Sequence, residues 1–141
     1  MTGPGYDDTA VGTELPLRQY EVTRRDLVRY AGASGDFNVI HWNERIAKSV
    51  GLPDVIAHGM LTMALAGRFL TEWAGDPGAV AEFGVRFSAP VVVPDDDKGA
   101  LLEVSGVVTG KLDDHLVTVD VTAKSADTKV LTRAHAVVRL P

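Results

Sequence analysis

The run from Gly59 to Trp73, Gly-Met-Leu-Thr-Met-Ala-Leu-Ala-Gly-Arg-Phe-Leu-Thr-Glu-Trp, is apolar around nearly its whole helical circumference, and its first charge is Arg68. A helix of that kind must be surrounded, either by protein or by lipid. Lipid is ruled out by length, because a bilayer crossing needs about 20 apolar residues. The run therefore predicts a central buried helix over 59–73, and the rest of the 141 residues must wrap it.

The wrapping is written downstream. After the Gly75-Asp76-Pro77-Gly78 break the pattern changes from helical to alternating. Ala81, Phe83, Val85 and Phe87 face one way, Glu82, Gly84 and Arg86 the other. That is the period-2 mark of a half-buried strand. Three more strands are predicted over 100–111, 115–125 and 129–140, separated by the turn-forming Lys111-Leu112-Asp113-Asp114 and Ser125-Ala126-Asp127-Thr128. In the third strand Val117, Val119, Val121 and Ala123 share a face; in the fourth Val130, Thr132, Ala134, Ala136 and Val138 do, with Leu131, Arg133 and His135 opposite. Short turns between successive strands imply an antiparallel meander. Its dry face needs an apolar partner, which the 59–73 helix supplies. The fold class is α+β, a curved antiparallel sheet around one central helix.

Upstream signals are weaker. Residues 1–10, rich in Gly, Pro, Asp and Thr, read as a loose leader, leaving 11–141 as a single domain. A strand over 13–22 would sit at an edge because of Pro16. Thr23 followed by Asp26 has the form of a capping pair for a helix over 24–33, which Ser34 and Gly35 should end. Residues 36–42 should be irregular, and Asn43 should cap a second short helix that Gly51 stops.

Composition removes several function classes. With 14 Lys and Arg against 19 Asp and Glu, the net charge is -5, and no basic cluster offsets it for phosphate backbones. The absence of cysteine excludes a thiolate nucleophile, a disulfide framework and Cys-ligated zinc. No basic region followed by an apolar stretch opens the chain, so no export signal is expected and the cytoplasm is the predicted compartment. Neither a Gly-rich phosphate loop nor a Gly-x-Ser-x-Gly elbow is present.

Of the four histidines, His115 falls in a turn and His135 on the polar face of a strand, where solvated imidazoles are ordinary. His41 closes the segment Asp36-Phe37-Asn38-Val39-Ile40-His41, which puts a carboxylate, an amide and an imidazole in six positions of irregular backbone. Loops on a rigid scaffold commonly carry catalytic groups. The same residue types also make turns and caps, with Asp36 and Asn38 bonding nearby backbone. A metal held by Asp36, Asn38 and His41 would have no second His or carboxylate nearby except Asp54 and His58. His58-Gly59-Met60 opens the apolar helix, whose first N–H groups are unpaired and dipole-positive and can receive an oxygen that becomes negative. A buried His58 that fixes the helix start is the structural alternative to a catalytic one.

The stretch Tyr30-Ala31-Gly32-Ala33-Ser34-Gly35-Asp36-Phe37-Asn38-Val39-Ile40-His41, followed by Ala57-His58-Gly59-Met60, resembles the hydratase motif of the MaoC-like, R-specific enoyl thioester hydratases of the hot-dog fold. Ile40-His41-Trp42 and the stretch Thr71 to Val80 resemble more narrowly the catalytic subunits of actinobacterial (3R)-hydroxyacyl-ACP dehydratases of fatty acid or mycolic acid elongation. The resemblance implies a lyase that interconverts (3R)-3-hydroxyacyl and trans-2-enoyl thioesters without a cofactor or metal. It also implies Asp36 and His41 as the acid/base pair, Asn38 as the amide that shapes their loop, and a homodimer or heterodimer with a second hot-dog subunit. Dehydration needs a base for the α-proton and an acid for the departing hydroxide, here His41 and Asp36, with Asp36 kept protonated by burial in an apolar acyl tunnel. Gly59 N–H would face the thioester oxygen. The chain departs from the family pattern at Val39, where Pro is usual, and at Ala64, about where some members place Ser. The same fold also serves thioester hydrolases and non-catalytic acyl-binding partner subunits. The retained Asp-x-Asn-x-x-His argues against both.

Overall fold

In the computed structural model, which describes residues 2–141, the apolar run forms a helix over Gly59–Ala74, and its two faces meet different fates. Thr62, Ala66, Phe69, Leu70 and Ala74 are buried against the sheet. Met60, Ala64, Arg68 and Glu72, spaced four residues apart, form a stripe that this chain leaves open. The expectation of a helix buried all round is therefore corrected: the outer stripe is charged in its second half but apolar in its first.

In chain order the elements are β1 (Glu14–Val22), α1 (Arg24–Ser34), a 3-10 turn (Val39–His41), α2 (Glu44–Ser49), α3 (Gly59–Ala74), β2 (Val80–Phe87), β3 (Ala100–Lys111), β4 (Leu116–Ser125) and β5 (Thr128–Arg139). The five strands make one antiparallel sheet in the order β1-β3-β4-β5-β2. β3, β4 and β5 are the expected meander, but β2 joins it at the far side, beside β5. The reason is the long connection from Ser88 to Gly99, which contains Pro90 and Pro94 and cannot make a hairpin. β1 then occupies the edge beside β3, consistent with Pro16.

Leu102, Val104, Val117, Val119, Ala123, Val130 and Val138 carry the core from the sheet side, with Leu27 and Ala31 of α1 at its rim. Two successive register breaks change the expected facing of β5. Val121 pairs with Ala134, Ala123 with Leu131 and Lys124 with Lys129, so β5 holds one extra residue at each break, and Arg133 adopts φ 47° at the first. Leu131 consequently turns into the core beside Val130, and Thr132 does not.

α1 begins as its capping pair requires. Thr23 N–H donates to Asp26 Oδ2 at 2.8 Å while the Thr23 hydroxyl accepts from Asp26 N–H. Gly35 ends it at φ 76°, a left-handed conformation that glycine adopts without the Cβ penalty. Residues 2–10 form no helix or strand, yet they are tied down rather than loose. Tyr6 N–H donates to Pro141 O, its hydroxyl donates to Leu112 O at 2.7 Å, and Thr9 is buried.

Candidate active site

The reversal at Gly35 sends residues 36–42 back across the start of α3 through a ladder of side-chain bonds to backbone. Ser34 Oγ accepts Asp36 N–H, Asp36 Oδ1 accepts Asn38 N–H at 3.1 Å, and Asn38 Oδ1 accepts Ile40 N–H at 3.2 Å. These are the turn-forming bonds expected of Asp and Asn. They consume one carboxylate oxygen of Asp36 and leave the other free. That second oxygen, Oδ2, stands 3.9 Å from His41 Nε2.

His41 is buried, and its Nδ1 lies 2.7 Å from the Ile56 carbonyl. A carbonyl only accepts, so Nδ1 carries the proton and Nε2 presents a lone pair toward Asp36. Burial holds the His41 imidazole below its ordinary pKa of 6.5. The Ile56 carbonyl and the Asp36 carboxylate pull it upward, while His58 adds to the lowering. His41 is therefore neutral at pH 7, and its closeness to Asp36 is not an ion pair under those conditions. Two acceptors face each other across a gap of 3.9 Å. A group that donates in both directions fits between them, and water has the two O–H bonds to do so.

His58, the residue before α3, is 2% exposed. Its Nε2–H donates to the Asp36 carbonyl at 3.1 Å, and its ring stacks on His41 with centroids 3.8 Å apart and planes 22° apart. Tyr30 closes the other side edge-on at 4.8 Å. His58 Nδ1 is the one fully buried side-chain polar atom without a partner among the described residues. One side chain thus contacts both members of the pair.

Asp36, His41 and His58 offer ligand atoms that lie within 4.8 Å of one another, close enough in distance to meet on one ion. The ring geometry speaks against chelation by both imidazoles. Lone pairs lie in the ring planes, so nearly parallel stacked rings aim theirs side by side instead of toward a common point. Asn38 and Asp54 do not join the set: the Asn38 oxygen caps the 3-10 turn, and Asp54 Oδ1 is bonded to Arg24.

Gly59 opens α3, where its N–H has no acceptor within the helix. A Cβ there would stand 3.1 Å from the half-exposed Phe87 ring, so a larger residue would need that ring to give by a few tenths of an ångström. Asp36 departs from expectation in one respect. Its side chain is 53% exposed, so this chain alone supplies no apolar tunnel around it. His115 and His135 stand apart, stacked on Tyr6 and bonded to Asp120 respectively. The Ile56 carbonyl and the Tyr30 ring are contributors that no reading of side-chain types singles out, since a main-chain oxygen has no signature in sequence. Tyr30 also borders a groove of about 720 Å³ lined by Val22, Ala33, Leu61 and Leu65. A hollow of the same size on the outer sheet, around Arg86, Arg133 and His135, contains none of the residues of the pair.

Comparison with known proteins places the chain in a family. The family model described as the MaoC like domain matches residues 8–127. The (R)-specific enoyl-CoA hydratase of Rhodospirillum rubrum is 31% identical over 137 residues, covering 96% of this chain and 91% of that protein. The 3-hydroxyacyl-thioester dehydratase X of Mycobacterium tuberculosis is 42% identical over 79 residues, which is 56% of this chain and 27% of the relative. A solved MaoC-like dehydratase superposes with a TM-score of 0.94 at 47% identity, covering 99% of this chain and 43% of the other. A chain of a solved two-protein complex from Mycobacterium tuberculosis is 26% identical with a TM-score of 0.81, over 94% of this chain and 98% of the other. The chain thus spans less than half the length of some relatives and nearly all of others.

Proposed function

The chain belongs to the MaoC-like dehydratase family and has its hot-dog fold, and from that premise we propose that it interconverts (3R)-3-hydroxyacyl and trans-2-enoyl thioesters. The observation that carries the proposal is the facing of Asp36 Oδ2 and His41 Nε2 across 3.9 Å, with the His41 proton held on Nδ1, which donates to the Ile56 carbonyl. In the hydration direction the water between the two side chains gives one proton to Asp36 as its oxygen attacks the β-carbon, and protonated His41 Nε2 gives its proton to the α-carbon. In dehydration His41 Nε2 takes the α-proton, and Asp36 protonates the leaving hydroxide. Charge that grows on the thioester oxygen is met by Gly59 N–H at the positive end of α3, an effect on the order of 3–4 kcal/mol per donor in other enzymes. Asn38 holds the loop and His58 holds the Asp36 backbone; neither exchanges a proton with substrate. Metal and redox cofactors have no role in this chemistry.

A second hot-dog subunit, identical or different, completes the site in this reading. β2 is a sheet edge, and Phe37, Trp42, Met60 and Phe87 are exposed around the loop and the helix start. An apolar cluster of that kind is an interaction surface. Its coverage would give Asp36 the burial that this chain lacks. The substrate carrier, coenzyme A or acyl carrier protein, is the soluble thioester pool of the cytoplasm, where we place the protein. Among the described residues no helix is long and apolar enough to cross a membrane. A place in fatty acid elongation follows from the dehydration direction.

The test is loss of ultraviolet absorbance of a trans-2-enoyl-CoA with purified protein, with free thiol assayed in parallel. Absorbance loss without thiol, abolished in His41→Ala and Asp36→Asn, is the expected result. Thiol release would make the protein a thioester hydrolase and sink the proposal. Activity that appears only after co-expression with a second hot-dog chain would assign the heterodimer.

A further inference from the structure

Behind the pair lies a second network that joins α1 to the segment before α3 and to the connection between β2 and β3. Arg24, the first residue of α1, donates from Nη2 to Asp54 Oδ1 at 2.6 Å and from Nε to Val93 O at 2.7 Å. The same Asp54 oxygen accepts Val55 N–H at 2.8 Å, and Val93 N–H donates to Val55 O at 3.0 Å. Four bonds therefore close a ring through Arg24, Asp54, Val55 and Val93. Val55 and Val93 are wholly buried, and Glu44 at the start of α2 stands 3.7 Å from the same guanidinium nitrogen. Arg24 thus joins the beginnings of two helices to two otherwise irregular segments.

The next residue after this ring is Ile56. Its N–H donates to Ile40 O, its carbonyl accepts the His41 Nδ1 proton, and it bridges to Val92. That carbonyl lies between the ring on one side and the imidazole that donates to it on the other, and Ala57 N–H of the same peptide unit donates to Val91 O at 2.9 Å, beside the Val93 member of the ring. We propose that Arg24 and Asp54 are positioning residues for the base: the ring they close holds the Ile56 carbonyl where it fixes the proton of His41 on Nδ1. The proposal deepens the hydratase reading and rests on it for the word base. Its physical content is the tautomer. Which nitrogen of a histidine is protonated follows from the bond the other makes. A carbonyl that slips away frees the proton to move to Nε2, where it blocks acceptance of another. Lysine cannot substitute, because the ring needs two donors fixed in one plane and aimed at two acceptors.

The experiment compares Arg24→Lys, Arg24→Met and Asp54→Asn with wild type by three readouts: the 15N shifts of the His41 ring, kcat and KM for enoyl thioester hydration, and Tm. The expected result is a move of the His41 proton from Nδ1 toward Nε2 in Arg24→Lys and Arg24→Met. In those variants kcat falls on the order of 10²-fold, as for a small misplacement of a reacting group, with KM changed less than about threefold. Asp54→Asn keeps an oxygen for Val55 N–H and falls between. Should Arg24→Met fail to fold, Arg24→Lys and Asp54→Asn carry the comparison. Folded variants with wild-type His41 ring shifts overturn the proposal, whatever happens to kcat, because the ring would then be a brace only. Ring shifts are read without turnover. A wild type that hydrates nothing but whose His41 tautomer depends on Arg24 would refute the activity and keep this inference.

Discussion

Replacement of His58 by phenylalanine separates the two tasks that the stacked imidazole performs. The phenyl ring that results keeps the stack on His41 and the edge contact with Tyr30, whose centroids lie 3.8 and 4.8 Å from that of the imidazole. It cannot donate to the Asp36 carbonyl, and it carries no buried acceptor. The stability change is the sum of opposed parts. Loss of the 3.1 Å bond to Asp36 costs about 1 kcal/mol. Removal of the unpartnered buried Nδ1 returns about 1–3 kcal/mol. The larger ring adds an overpacking cost of about 1–3 kcal/mol. The net should lie between about 1 kcal/mol of gain and about 3 kcal/mol of loss, a shift of roughly ten degrees in Tm at most at this chain length. The pH effect has a definite sign. His58 is one of the groups that lower the His41 pKa, alongside burial, whereas Asp36 and the Ile56 carbonyl raise it. Without His58 the His41 pKa rises, so the acid limb of kcat/KM, which reports the free base, moves to higher pH. Above that limb kcat falls because the Asp36 backbone has lost its tether. His58→Gln is the complement, since its amide can still donate to Asp36 but cannot stack. It should shift the limb in the same direction with a smaller loss of kcat and a larger loss of Tm. An acid limb that stays in place or moves down in His58→Phe would refute this account of the stack.

Three further outcomes follow from the same geometry. Asp36→Asn should lower kcat/KM by about 10²–10⁴-fold, the range for a lost general acid or base, with unchanged circular dichroism, because the new amide oxygen still accepts Asn38 N–H. Val39→Pro, which restores the residue usual in the family, should raise stability by about 0.4–1 kcal/mol in chemical denaturation: Asn38 already sits at φ -55° and ψ 126°, and Val39 is the first residue of its turn, where proline costs no bond. For His41 the folded pKa lies below 6.5, so the stability it contributes is complete above pH 6.5 and is lost as pH falls below that value toward the folded pKa; a denaturation series in wild type should show this loss, and His41→Gln should reduce it.

The elements that could be read from sequence are those whose cause is local. α3 announces itself by an unbroken apolar run, α1 by the Thr23–Asp26 pair, and β4 by four alternating small apolar residues that all prove buried. What escaped depends on partners far away in the chain. Turn residues report only which strands are consecutive, so the pairing of β2 with β5 has no local sign. An arginine at φ 47° is not a residue type that marks a bulge, so the strict period of two misassigns Leu131 and Thr132. The open apolar stripe of Met60 and Ala64 is indistinguishable in sequence from a buried one. Whether such a stripe is covered depends on what packs against it, which periodicity does not record.

The site was legible to the extent that its chemistry resides in side chains. Turn formation and proton transfer look like rival explanations for Asp36 when only residue types are known. A carboxylate, however, has two oxygens, and here they divide the work. Oδ1 receives Asn38 N–H and thereby sets the bend of the loop; the bend points Oδ2 at His41. The same economy holds for His41, whose Nδ1 is spent on Ile56 so that Nε2 is free, and for Asn38, whose oxygen caps the turn that carries His41. In the proposed reaction, Asp36 Oδ2 and His41 Nε2 are each aimed by the other polar atom of the same side chain. The structural role is a condition of the chemical one, and a variant that breaks only the aiming bond should lose activity while retaining every reacting group.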